Sequence, residues 1–222
     1  MGYISTLSNS LPTAPSDGGE DLYLVDVVED ELNAWDGKKE NDWGMGAYLQ
    51  KYWNVTPYPE YANTDKPWSA AFISWILAPY GFKGEAAHTS YADNVIAGDT
   101  KGWEAFSLVG ADKVRLNVGD VLIYDREPSD GTSRKSHGDV VYEIKDGFAW
   151  LVGGNLSDSV NVADKIPVDK DGFAIDVQPY QIILKNLNPG RVWPRYLYWI
   201  SVVGWYGFLF HQYSNIKLGR EK

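Results

Sequence analysis

The chain of 222 residues contains no cysteine. Disulfide staples, thiolate metal sites and a cysteine nucleophile are therefore excluded. Histidine is scarce, with His88, His137 and His211 far apart in sequence and none in a helical i, i+4 pair. That spacing gives no zinc-peptidase signature, and no cofactor is implied. Basic residues are outnumbered, 20 Lys plus Arg against 30 Asp plus Glu, for a formal net charge of −10. An average field of that sign repels nucleic acid and anionic lipid, and no basic cluster interleaved with aromatics offsets it. A long hydrophobic run is also lacking. The greasiest stretch, from Tyr196 to Phe210, is short and broken by Gly204 and Gly207, so no membrane span is expected. The first residues carry neither a basic segment nor an apolar core of signal-peptide length, so a protein made in the cytoplasm without a cleavable signal is expected.

Aromatic residues, by contrast, are abundant: 10 Trp, 15 Tyr and 7 Phe. Such side chains serve cores, sugar-binding grooves and protein interfaces alike. Residues 1–19 are rich in Ser, Pro, Gly and Thr without periodicity and read as an extended arm. Leu22, Val25, Val28, Leu32 and Trp35 recur at helical spacing, with Asp17 as a candidate cap and Gly37 as the stop. A shorter helix is predicted over Ala47 to Trp53. Ser69 to Leu77 is apolar nearly all round, the mark of a helix buried on every side, with Asp65 or Thr64 to cap it and Pro67 in its first turn. Pro79 and Gly81 close it. Another short helix is expected near Tyr91 to Ile96.

Beyond this point the period changes to two. Strands are predicted over Gly119 to Tyr124, Asp139 to Ile144, Phe148 to Val152 and Val192 to Val203, with a hairpin turn at Asp146-Gly147. Helices first and antiparallel strands afterwards define an α+β fold.

Three segments carry a more specific signal. Pro67-Trp68-Ser69-Ala70-Ala71-Phe72-Ile73-Ser74-Trp75 opens the buried helix. Gly119-Asp120-Val121 is followed by His137-Gly138-Asp139-Val140-Val141, and then by Val152-Gly153-Gly154-Asn155-Leu156-Ser157-Asp158-Ser159-Val160. In kind and order they resemble the NlpC-type and CHAP-like papain-fold cell-wall hydrolases, over roughly residues 20–165. In that superfamily a nucleophilic cysteine starts the helix, a histidine follows on the first strands and a third polar residue lies one strand later. The resemblance implies a papain-like α+β domain over 20–203, N-terminal helices packed on an antiparallel sheet; the aromatic tail over 204–222 lies beyond it and reads as a possible interaction segment.

It further implies Ser69, His137 and Asn155 at the three catalytic positions, with Trp68, His88 and Tyr91 as candidate cleft residues. The implied activity is cleavage of a peptidoglycan amide, by an endopeptidase or amidase route, in a wall enzyme that a phage could encode or deliver. The departure from the family is Ser69 in the cysteine position. An alcohol cannot form a thiolate–imidazolium pair at neutral pH and needs concerted base catalysis. Serine triads usually orient their base with a carboxylate, for which Asp139 and Asp158 are the nearby candidates. The competing readings are structural. Ser69 near a helix start reads as a cap, His137 as a loop hydrogen-bonding residue, Asn155 as a turn residue and His88 as a cap or buried hydrogen-bonded group. A catalytically weak or inactive module, such as a virion or tail component, is the alternative function, with the tail Tyr196 to Tyr213 docking on a protein partner or on a second copy.

Overall fold

The structure is a computed structural model and describes residues 22–63, 65–111, 113–126 and 135–187. Its chain order is α1 (Leu22–Trp35), α2 (Gly46–Trp53), α3 (Ser69–Leu77), α4 (His88–Ile96), then β1 (Trp103–Ser107), β2 (Val114–Arg115), β3 (Val121–Arg126), β4 (Lys135–Lys145), β5 (Phe148–Gly153), β6 (Asn161–Pro167), β7 (Phe173–Ala174) and β8 (Ile182–Asn186). The fold is mixed α+β, with its helices ahead of an antiparallel sheet. The arm at 1–19, the strand expected at Val192 to Val203 and the aromatic tail at 204–222 lie outside the described residues. The described residues fall in one compact unit, Met1–Pro189; a second unit, Gly190–Lys222, lies outside them. Among the described residues no helix is long and apolar enough to cross a membrane.

Six strands form one sheet in the order β1-β8-β3-β4-β5-β6, and β2 pairs with β7 separately. Every pairing is antiparallel. Both faces of the main sheet are covered. Helices α3 and α4 pack against β4 on one side, while Phe106, Leu116, Leu122, Val141, Leu151 and Ile183 build an apolar cluster on the other. The β4–β5 hairpin turns at Asp146 and Gly147, with φ of 54° and 78°. A type I′ turn requires positive φ at both central residues, and Asp-Gly supplies it at low steric cost.

Helix α3 is buried along its length, with only Trp75 partly open. Its N-cap is Trp68, which makes no side-chain capping bond. Asp65, three residues upstream of that cap, therefore does not act as one, Thr64 lies outside the described residues, and Pro67 stands before the cap rather than in the first turn. Trp68 is held instead by stacking on Trp35 at a ring separation of 4.9 Å and on Tyr52 at 5.8 Å. Its indole N–H donates to Glu40 Oε2 at 2.5 Å. Beyond α3 a 3-10 turn over Ala78–Tyr80 ends at Gly81, whose φ of 74° reverses the chain.

The sheet reaches α3 closely because Gly154 has no side chain. A Cβ there would stand 2.6 Å from Phe72 Cβ and 2.9 Å from Trp68 Cζ3. In α1 the buried seam runs through Leu24, Val28, Glu31 and Trp35. Glu31 is tolerated because Lys51 Nζ and the Tyr52 hydroxyl both donate to its carboxylate.

Candidate functional site

Ser69 is the first residue of α3, and its hydroxyl does not cap the helix. Its Oγ lies 2.7 Å from Nε2 of His88, the first residue of α4. The other ring nitrogen of His88, Nδ1, is hydrogen-bonded to the hydroxyl of Tyr91 one turn along the same helix. Serine, imidazole and phenol thus form a continuous chain in which each member is buried. Two proton arrangements satisfy these contacts. In one, Nδ1–H donates to Tyr91 and Nε2 accepts from Ser69. In the other, Tyr91 donates to Nδ1, and Nε2–H donates to Ser69.

Burial holds the proton affinity of His88 well below that of an ordinary imidazole, and Coulombic repulsion of an imidazolium there by His137 and by the Arg126 guanidinium lowers it further. Burial also raises the Tyr91 hydroxyl well above the usual phenol range, with the Asp139 carboxylate adding to the effect. Tyr91 therefore stays a phenol.

The next strand supplies a second polar chain. Gly138 of β4 lies beneath α4, where a Cβ would stand 2.8 Å from His88 Nδ1 and 2.6 Å from the Tyr91 hydroxyl. Side chains alternate along a strand, so His137 and Asp139 project to the opposite face. There His137 Nε2 is 3.1 Å from Asp139 Oδ1, and Asp139 Oδ2 accepts from the Tyr180 hydroxyl at 2.9 Å. His137 Nδ1 is 2.9 Å from Arg126 Nη2. A guanidinium has donors only, so Nδ1 accepts and Nε2 carries the proton that is donated to Asp139. The two chains come near each other at His88 and His137, whose ring centroids are 5.3 Å apart.

The structure thus brings Ser69 together with His88, and gives His137 Asp139 and Arg126 as its hydrogen-bonding partners. The expected transfer from Ser69 to His137 has no direct contact to run through, because both ring nitrogens of His137 are engaged elsewhere. Asn155 follows β5 at a left-handed φ of 56°, in a turn where Ser157 and Asp158 also have positive φ. Among the described residues no hydrogen bond joins it to His137. Of the two candidate carboxylates, Asp139 meets His137, whereas Asp158 is exposed with Lys39 3.8 Å away. Trp68, His88 and Tyr91, expected to line a cleft, are all buried, Trp68 within an aromatic stack.

Gly153 completes the second chain, since a Cβ on it would stand 2.3 Å from Asp139 Oδ1. Arg126 and Tyr180 escaped the sequence reading, and Tyr91 entered it only as a cleft candidate. The phenol–imidazole contact of Tyr91 was signalled by its i+3 spacing from His88. Arg126 needed the β3–β4 register, in which Tyr124 pairs with His137 and Arg126 lies two residues on. Tyr180 approaches Asp139 from 41 residues away and left no local signal.

The chain belongs to DUF2272, a family described as an uncharacterised protein conserved in bacteria, which matches it over residues 33–202. That span contains Ser69, His88, Tyr91, Arg126, His137, Asp139 and Asn155. No curated protein and no solved structure matches the chain.

Proposed function

We propose that the chain is an amide hydrolase-like domain that works by acyl transfer through Ser69, with His88 as its general base. The observation that carries this reading is the 2.7 Å contact between Ser69 Oγ and His88 Nε2 at the start of a buried helix. A serine that neither caps its helix nor faces solvent, but is joined to an imidazole held on its far side, has the nucleophile–base–orienter pattern. In the forward step Oγ attacks the substrate carbonyl carbon while its proton passes to His88 Nε2. The imidazolium then gives that proton to the departing amine, and water cleaves the acyl-serine ester by the same route in reverse. The backbone N–H groups of the first turn of α3 have no intrahelical acceptors and are suited to the developing oxyanion. Peptidoglycan, cut in its stem peptide or between peptide and sugar, is the substrate that the resemblance of the three segments supports. A cell-wall enzyme of phage origin or delivery fits the same reading.

The base in this proposal comes from α4 and its orienting group is a phenol, whereas the resemblance places the base on the sheet and an amide behind it. The test is amine release from purified peptidoglycan. Wild-type protein is expected to release amine and Ser69→Ala to release none. Ser69→Cys should keep a measurable rate, because a thiol is the stronger nucleophile. Equal release by wild type and Ser69→Ala overturns the proposal.

One observation favours a second reading, a structural module of the same fold such as a virion or tail component. Tyr91 carries no negative charge to stabilise an imidazolium, and burial disfavours that cation. In this reading Ser69, His88 and Tyr91 are a buried tie between α3 and α4.

A further inference from the structure

Arg126 is exposed at the end of β3, yet one of its donors is spent on the lone pair of a buried imidazole. Among the described residues it forms no ion pair. The carboxylate closest along its hydrogen-bonded chain, Asp139, is occupied by His137 on one oxygen and Tyr180 on the other. The guanidinium is thus oriented by a buried residue, and among the described residues its other donors have no partner, which leaves a planar edge suited to bidentate pairing with a carboxylate. A single imidazole, that of His137, separates it from His88.

We propose that Arg126 anchors a substrate carboxylate beside the Ser69–His88 pair, so that the amides cut by this domain lie close to a free carboxylate. The inference deepens the hydrolase reading and rests on it. It also answers an electrostatic difficulty, since a chain of net charge −10 repels anionic substrates unless a local cation receives them. Anchoring has a second consequence at the base. The charge of Arg126 lowers the proton affinity of His88. A bound carboxylate neutralises that charge, so His88 becomes the better proton acceptor when substrate is in place.

Binding is measured on the Ser69→Ala protein, which separates recognition from turnover. The probes are a muramyl tetrapeptide with free carboxylates and the same peptide with its carboxylates converted to amides. The free acid is expected to bind roughly tenfold more tightly than the amide, as a charge-assisted pair at a partly exposed site allows. Arg126→Gln should erase the difference and Arg126→Lys retain part of it. The His88 titration, followed by NMR, should move upward on binding the acid in the presence of Arg126 and stay put in Arg126→Gln. An unchanged acid-to-amide ratio in Arg126→Gln overturns the anchor, as does failure of both peptides to bind. Carboxylate-selective binding by a protein that hydrolyses nothing would sustain the anchor and sink the enzyme. Hydrolysis that ignores the carboxylate would do the reverse.

Discussion

Ser69 Oγ and His88 Nε2 lie 2.7 Å apart although the residues are nineteen positions apart and begin two different helices. Because Gly138 turns the empty side of β4 toward α4, His88 rather than the strand histidine reaches the serine. The two imidazoles therefore have separable roles. His88→Gln is expected to lower amide hydrolysis by roughly 10²- to 10⁴-fold, the usual contribution of a general base. His137→Gln should chiefly destabilise the fold, by about 1–3 kcal/mol, since one flexible amide must replace a rigid ring that both donates to buried Asp139 and accepts from Arg126. Hydrolysis rates and denaturant melts on both variants distinguish the roles. An active His88→Gln beside a folded but inactive His137→Gln would return the base to the sheet.

The proton positions are open to direct measurement. A serine activated by His88 requires Nδ1–H on that ring, donating to Tyr91, whereas His137 is held as the Nε2–H form by Arg126. Nitrogen NMR of labelled histidine is expected to show opposite tautomers for the two rings near neutral pH. Finding Nε2–H on both would mean that His88 donates to Ser69, and the module reading would gain.

The pH dependence follows from the direction of one shift. His88 has a folded-state pKa well below its ordinary 6.5. Between those two values the unfolded chain binds a proton that the folded chain refuses, so stability contributed by neutral His88 is present above about pH 6.5 and falls as pH drops. Wild-type protein is expected to lose more melting temperature than His88→Gln between pH 7 and pH 5. For the same reason the acid limb of kcat/KM should lie below 6.5. Parallel losses in the two proteins would show that His88 does not carry this dependence.

Much of the framework was legible because local chemistry dictated it. The all-round apolar run at Ser69 to Leu77, the Asp146-Gly147 turn and the alternating strands on either side of it each obey a period or a backbone preference. The site was only half legible. Motif order brought Ser69 and His137 into one neighbourhood, but which imidazole touches the serine depends on which face of β4 meets α4. That face is set by Gly138 and by packing between elements, not by spacing along the chain. Asp139 was recognisable as a carboxylate at hand; its partner Tyr180 was not, since nothing local ties residue 180 to residue 139. The stack of Trp35, Tyr52 and Trp68 likewise shows that residues beside a nucleophile motif can be core.

Gly138 gives a local test of the two-chain arrangement. An added methyl group would press on the Tyr91 hydroxyl and His88 Nδ1, and both belong to ring systems fixed by packing. Gly138→Ala is expected to reduce stability by about 1–3 kcal/mol, the usual cost of overpacking. It should also lower hydrolysis by displacing His88 from Ser69. Thermal melts and rate measurements on one preparation check both effects. A variant with wild-type melting temperature and rate would mean that α4 does not sit on Gly138 as described.

Lys185 and Asp120 form a buried charge pair away from the site. Lys185 Nζ of β8 lies 2.5 Å from Asp120 Oδ2 and donates to the Arg115 carbonyl at 2.8 Å, with both side chains almost wholly buried. Burial raises the pKa of Asp120 despite the opposing pull of Lys185, so desolvation is the dominant effect on this carboxyl. Removing the lysine leaves an uncompensated acid inside the sheet, and Lys185→Met is expected to cost about 3–5 kcal/mol. The cost should shrink at low pH, where the orphaned Asp120 binds a proton. Lys185→Met combined with Asp120→Leu should regain most of the loss, because an apolar pair of similar volume is often no worse than a buried ion pair. Denaturant melts of the single and double variants at pH 5 and pH 8 decide the matter. If the double variant is as unstable as Lys185→Met at both pH values, the pair is needed for its specific bonds to β2 and the loop at Asn117, and desolvation is not the controlling term.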